Sequence, residues 1–150
     1  MLDSGITFLV YVAVKLAAYT GWCFVGLRWL NSSVPRFRSA LGAGALRLLL
    51  GLLFGLGIFL GGGSMHFNAP QHPWMSYFAV YVPVRWVEWS IMSLLVGKGP
   101  HSFTSFLFGS SSQERLWRLG GIAISHLADI PLMLSGSGVI EMLPVGRFLC

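Results

Sequence analysis

The sequence predicts an all-α integral membrane protein, a four-helix transmembrane bundle with a charged intramembrane centre. Three observations carry that prediction. Hydrophobic residues fill 55% of the 150 positions and charged residues only 10%, against about 25% charged in soluble domains. Apolar runs of roughly 20 residues, the length that crosses a bilayer as a helix, recur along the chain. One of them contains Tyr81-Val-Pro-Val-Arg85-Trp-Val-Glu88-Trp89, an arginine and a glutamate in mid-span. Each such charge costs about 2.5–3.5 kcal/mol at the centre of an inserting helix, so each needs a partner, a water-filled cavity or a function.

The length suits one domain, residues 1–150. The net charge of +5 comes from basic residues beside apolar runs rather than in a block. They act as topology markers, and no nucleic-acid partner is expected. Cys23 and Cys150 have no metal or redox spacing. The start lacks a basic n-region, so the first apolar run is expected to stay as a helix.

That first helix covers about residues 6–30. Lys15 lies inside it, on one face with Tyr11, Tyr19 and Trp22. A loop with Pro35, Arg36 and Arg38 follows. The second helix, about residues 41–60, is glycine-rich, and Gly51 and Gly55 form a GxxxG pattern that lets another helix approach closely. Homo-oligomer or larger-complex contacts through this helix are a possible use of it. Arg47, about 9 Å from the helix start at 1.5 Å per residue, is expected to snorkel to the near interface.

The second loop carries His66 and His72 and no basic residue. Two histidines six apart are weak metal candidates without a third ligand, and no metal site is assigned. The third helix, about residues 74–96, contains Pro83, which frees a backbone carbonyl. Tyr81, Arg85, Glu88 and Met92 share one face, flanked by Trp86 and Trp89.

The third loop has Phe103, Phe106 and Phe108 in a stretch suited to the interface. Ser111 and Glu114 have the spacing of a capping box. The fourth helix, about residues 114–134, puts His126 and Asp129 on one face, with Pro131 beyond them. A short tail, 135–150, remains. Arg28, Arg36 and Arg38 in loop one and Lys98, Arg115 and Arg118 in loop three place both loops in the cytoplasm. Both termini then lie on the non-cytoplasmic side of a multi-pass protein.

At 1.5 Å per residue, Lys15, Arg85, Glu88, His126 and Asp129 all fall near the middle of a core about 30 Å thick. As a set they nearly neutralise one another, as a shared cluster would. Ion pairing that only fixes the helix arrangement is one reading. The mixture of acids, a histidine, a lysine and tyrosines favours chemistry.

Arg85-Trp86-Val87-Glu88-Trp89 resembles the third-helix pattern of microbial rhodopsins: arginine, aromatic, any residue, carboxylate, tryptophan. There the carboxylate is counter-ion to a retinal Schiff base. The resemblance covers five residues. That family needs seven helices and a lysine in the last, whereas Lys15 lies in the first helix here. The retinal function is not carried over, and no cofactor is expected. A haem variant fares no better, because only His126 is clearly mid-helix.

The leading expectation is an intramembrane enzyme acting on a lipid-soluble isoprenoid, sterol-like or acyl molecule. Glu88 or Asp129 is the proton donor, His126 the base, and Arg85 or Lys15 steers an anionic or carbonyl group. Tyr19, Trp22, Tyr81, Trp86 and Trp89 line the apolar pocket. The alternatives are a non-catalytic subunit of a larger membrane complex and proton-coupled transport as an oligomer. Membrane lipid and the lipid-soluble substrate are the expected partners.

Overall fold

The computed structural model describes residues 4–31, 37–62, 73–97 and 102–130. Among these the chain is all-helical, with no strand. In order it forms α1 (Ser4–Asn31), α2 (Phe37–Gly62), α3 (Pro73–Val96), α4 (Phe103–Phe108) and α5 (Ser112–Leu127). His66, His72, Pro131 and the tail 135–150 lie outside the described residues.

Three boundaries correct the sequence reading. α2 begins at Phe37, four residues earlier than expected. The third loop contains a helix of its own, α4, capped by the Ser102 hydroxyl, which accepts from the Ser105 amide at 3.1 Å. α5 ends at Leu127, with Ala128 as its cap, so Asp129 sits in the turn beyond the helix rather than within it. The break is local: the Ala128 amide still bonds the Ile124 carbonyl, but the Asp129 amide turns more tightly onto the His126 carbonyl at 3.0 Å.

The start of α5 follows the capping-box pattern with one change. The Ser111 hydroxyl accepts from the Glu114 amide at 3.2 Å, as expected. The Glu114 carboxylate reaches back one residue further, accepting from the Ser110 amide at 2.7 Å.

α1 packs most extensively on α2, α5 packs against α1 and α3, and α4 leans on α3. Close approach of α1 and α2 depends on Gly44. A Cβ there would stand 2.8 Å from the Thr20 backbone nitrogen and 2.9 Å from its Cα, and backbone cannot move aside. Gly51 and Gly55 are buried on the same helix. Tryptophans use the glycine surfaces elsewhere: the Trp117 indole lies on Gly26 and the Trp89 indole on Gly121.

The described residues are arranged inside out. The fully buried large side chains include Arg47, Arg85, Arg118, Lys15 and Glu88. The exterior carries Val14, Leu46, Leu49, Leu52, Leu53, Leu56, Leu95, Leu116, Leu119 and Leu127. α5 shows the division most clearly, burying Trp117, Arg118, Gly121, Ile122 and Ser125 along one stripe. Two segments, Leu9–Leu30 in α1 and Phe37–Gly57 in α2, are long and apolar enough to cross a membrane. Only 33% and 28% of these windows are buried within the protein, unlike the central helix of a soluble domain.

Candidate functional site

Among the described residues the buried charges form three ion-pair groups, two of which draw on α3. The first is built on Asp129. Lys15 of α1 reaches its Oδ1 at 2.8 Å, and the Tyr11 hydroxyl donates to the same oxygen at 2.6 Å. Arg85 of α3 donates to Oδ2. Tyr11 and Lys15 are four apart on α1, so both side chains point at one spot. Ending the helix at Leu127 leaves Asp129 in the turn, where its carboxylate meets both α1 and α3.

The second group is Arg47 of α2 with Glu88 of α3. Both are fully buried. This corrects the expectation that Arg47 snorkels to the interface. From Phe37 it lies about 15 Å along α2 at 1.5 Å per residue, too deep to reach the helix end. It also corrects the expectation of one shared cluster, since the Glu88 carboxylate accepts from Arg47 while Lys15 and Arg85 pair with Asp129. Aromatic rings flank the guanidinium. Its Cζ is 4.9 Å from the Tyr19 ring centroid and 5.2 Å from that of Trp89, within cation–π range.

The two acids differ in how completely they are bonded. Both oxygens of Asp129 are engaged. In the Arg47–Glu88 group, Glu88 Oε1, Arg47 Nε and Nη1 and Tyr19 Oη are buried and have no hydrogen-bond partner among the described residues. An unsatisfied buried donor or acceptor costs about 1–3 kcal/mol, more when charged. Four of them around one guanidinium call for an explanation.

The other predicted site residues divide. Tyr81 is buried one turn before Arg85. His126 is half-buried, within electrostatic range of Arg85 and Asp129. Trp22 and Trp86 serve as ties between elements. Trp22 Nε1 donates to the Trp117 carbonyl at 2.9 Å, and Trp117 Nε1 returns a bond to the Trp22 carbonyl at 3.1 Å. Trp86 Nε1 donates to the Leu107 carbonyl at 2.7 Å, fixing α4 to α3. Trp89 Nε1 donates to the Ser125 hydroxyl at 3.3 Å.

Arg118 forms a third polar group. The sequence reading counts it as a loop charge, yet it is fully buried. It donates to the Ser90 and Ser93 hydroxyls at 2.7 and 2.8 Å, to the Phe106 and Ser105 carbonyls at 2.6 and 3.1 Å, and to Glu114. A guanidinium has five donors in a fixed fork, enough to hold α3, α4 and α5 together. Burial alone raises the Glu114 pKa. Hydrogen bonds from the Ser110 hydroxyl and amide, Ser93 and Arg118 outweigh it and bring the value down to about 2.

No group of three or more histidine, cysteine, aspartate or glutamate side chains that could hold a metal occurs among the described residues. No family model, curated protein or solved structure matches the chain.

Proposed function

We propose that the protein is a multi-pass integral membrane enzyme, a bundle of α1, α2, α3 and α5, that uses Glu88 to move a proton on a lipid-soluble molecule. The membrane reading is supported by the leucine-covered exterior around buried charges, an arrangement that favours lipid over water outside. Orientation rests on Arg28, Arg36 and Arg38 around the start of α2 and on Lys98 and Arg115 before the body of α5. These put both termini on the non-cytoplasmic side. Arg118 is withdrawn from that count because it is spent inside the protein.

The observation that carries the enzymatic reading is the contrast between the two acids. Asp129 has both oxygens taken by Lys15, Tyr11 and Arg85 and acts as an anchor for three helices. Glu88 keeps one buried oxygen open beside a cation. An open carboxylate in a dry setting is what a general base requires.

The test is incubation of the purified protein in nanodiscs with lipid extract of the source cells in D2O, followed by mass spectrometry. The wild type should place deuterium on carbon in a lipid-soluble molecule, and Glu88→Gln should not. No incorporation by the wild type, or equal incorporation by the variant, would contradict the reading.

The second reading is a subunit that joins other helices through α2. It is favoured by Gly42 and Gly57, where an added Cβ would meet nothing within 4 Å. These glycines offer a second helix a place for close approach.

A further inference from the structure

The four open atoms around Arg47 are of two kinds, and the division identifies a substrate class. Arg47 Nε and Nη1 are donors. The Tyr19 hydroxyl, on the ring that flanks the guanidinium, is able to donate as well. Glu88 Oε1 can only accept while the carboxylate is ionised against Arg47. One partner that meets all of them has a carbonyl oxygen to accept from Arg47 and Tyr19, with a removable hydrogen on the carbon next to the carbonyl carbon.

We infer that the Arg47–Glu88–Tyr19 group binds an uncharged lipid-soluble ketone or enone, with Arg47 and Tyr19 donating to its oxygen and Glu88 facing the adjacent C–H. This deepens the proposed function and rests on it for the role of Glu88. A neutral head group suits the Arg47–Glu88 pair itself, whose two charges balance one to one. An anionic head would meet Glu88 Oε1 across a dry interior, where like charges are costly.

The chemistry balances without a co-reactant. Glu88 Oε1 takes the proton from the carbon between the carbonyl and a neighbouring double bond. The C–H electron pair moves into a dienolate, whose oxygen charge lies on the Arg47 and Tyr19 donors. Glu88 then returns the proton to the far carbon of the double bond. The result is a shift of the double bond into conjugation, with no net change in oxidation state. Donors fixed at the developing oxyanion and a base at the carbon are the two requirements of this step.

The probe is a long-chain β,γ-unsaturated methyl ketone, presented to the wild type in nanodiscs, with empty nanodiscs as the control for partition into lipid. The parent hydrocarbon and a fatty carboxylate of equal length serve as head-group controls. Binding is read by distribution of labelled probe. Reaction is read by conversion to the conjugated enone in the ultraviolet and, in D2O, by deuterium uptake at the far carbon of the original double bond. The ketone should bind about tenfold or more above the hydrocarbon, as one charge-assisted hydrogen bond provides. The carboxylate should not exceed the hydrocarbon. Tyr19→Phe should slow conversion about a hundredfold, as loss of one oxyanion donor does. Glu88→Gln should abolish it.

Preference of the wild type for the carboxylate, or no preference among the three probes, would overturn the ketone assignment. Deuterium uptake from the lipid extract would then still uphold Glu88 as an acid–base group. Ketone binding without conversion or exchange would support the head-group assignment and overturn the acid–base role. These outcomes rest first on the wild type, so a variant that fails to fold does not remove the test.

Discussion

Arg47 and Glu88 stabilise each other only as a pair. Removing one partner of a buried ion pair typically costs about 3–5 kcal/mol, whereas replacing both with apolar side chains of similar size is often neutral. Arg47→Met should therefore lower the melting temperature sharply in detergent, and the double variant Arg47→Met with Glu88→Leu should recover most of the loss without recovering activity. Equal melting of the single and double variants would contradict the pairing. That Lys15, Arg85 and Asp129 could meet was legible in the sequence, because their positions along the apolar runs bring them level with one another. The pairing of Arg47 was not. Its depth depends on where α2 begins, and the segment 37–40, Phe-Arg-Ser-Ala, contains a charge and a serine that read as loop. Starting the helix at Phe37 instead moves Arg47 about 6 Å deeper at 1.5 Å per residue, level with Glu88. Tyr19 and Trp89 flank the Arg47 guanidinium. The ties that Trp22 and Trp86 make were not legible, because an indole N–H satisfied by a backbone carbonyl on another element has no periodic signature.

Among the elements, α4 is the one held by polar contacts rather than by burial. It buries no residue, and Phe103 and Phe108 stand exposed. Its position depends on Arg118, bonded to two of its carbonyls and to Glu114, and on the Trp86 indole. Arg118→Met should therefore raise hydrogen exchange in residues 103–108 while leaving α1 and α2 protected. Unchanged exchange there would show that other contacts fix α4. Glu114 gives this anchor a pH dependence. Its folded pKa of about 2 lies below the usual glutamate value, so its contribution is complete above about pH 4.5 and is lost as pH falls toward 2. Exchange in α4 should accordingly stay constant from neutral pH to about 5, after correction for intrinsic rates, and rise below about 3. The α1–α2 contact supplies a matched pair of substitutions. Gly44→Leu would drive a side chain into the Thr20 backbone, whereas Gly42→Leu meets open space. Overpacking typically costs about 1–3 kcal/mol or more, so the first should lower the melting temperature by several degrees and the second should not. The sequence showed a glycine-rich helix but not which glycine another backbone requires. That depends on how α1 crosses α2.

For the molecule as a whole, composition and apolar runs were enough to show an all-helical chain with an apolar surface. They could not show α4, nor that α5 stops before Asp129, because both follow from local capping and from contacts with other helices. The inversion of polarity, with charges inside and leucines outside, ties these features together. It makes the ion pairs strong, since little water screens them. Collision-rate measurements on single nitroxide labels test that inversion most directly. With Cys23 and Cys150 replaced, labels at Val14, Leu53 and Leu127 in nanodiscs should be open to dissolved oxygen and closed to a water-soluble nickel chelate, while a label at Ser125 should be shielded from both. Ready access of the nickel chelate to Val14, Leu53 and Leu127 would mean that water, not lipid, covers the leucine surface, and would contradict the membrane reading on which the role of Glu88 depends.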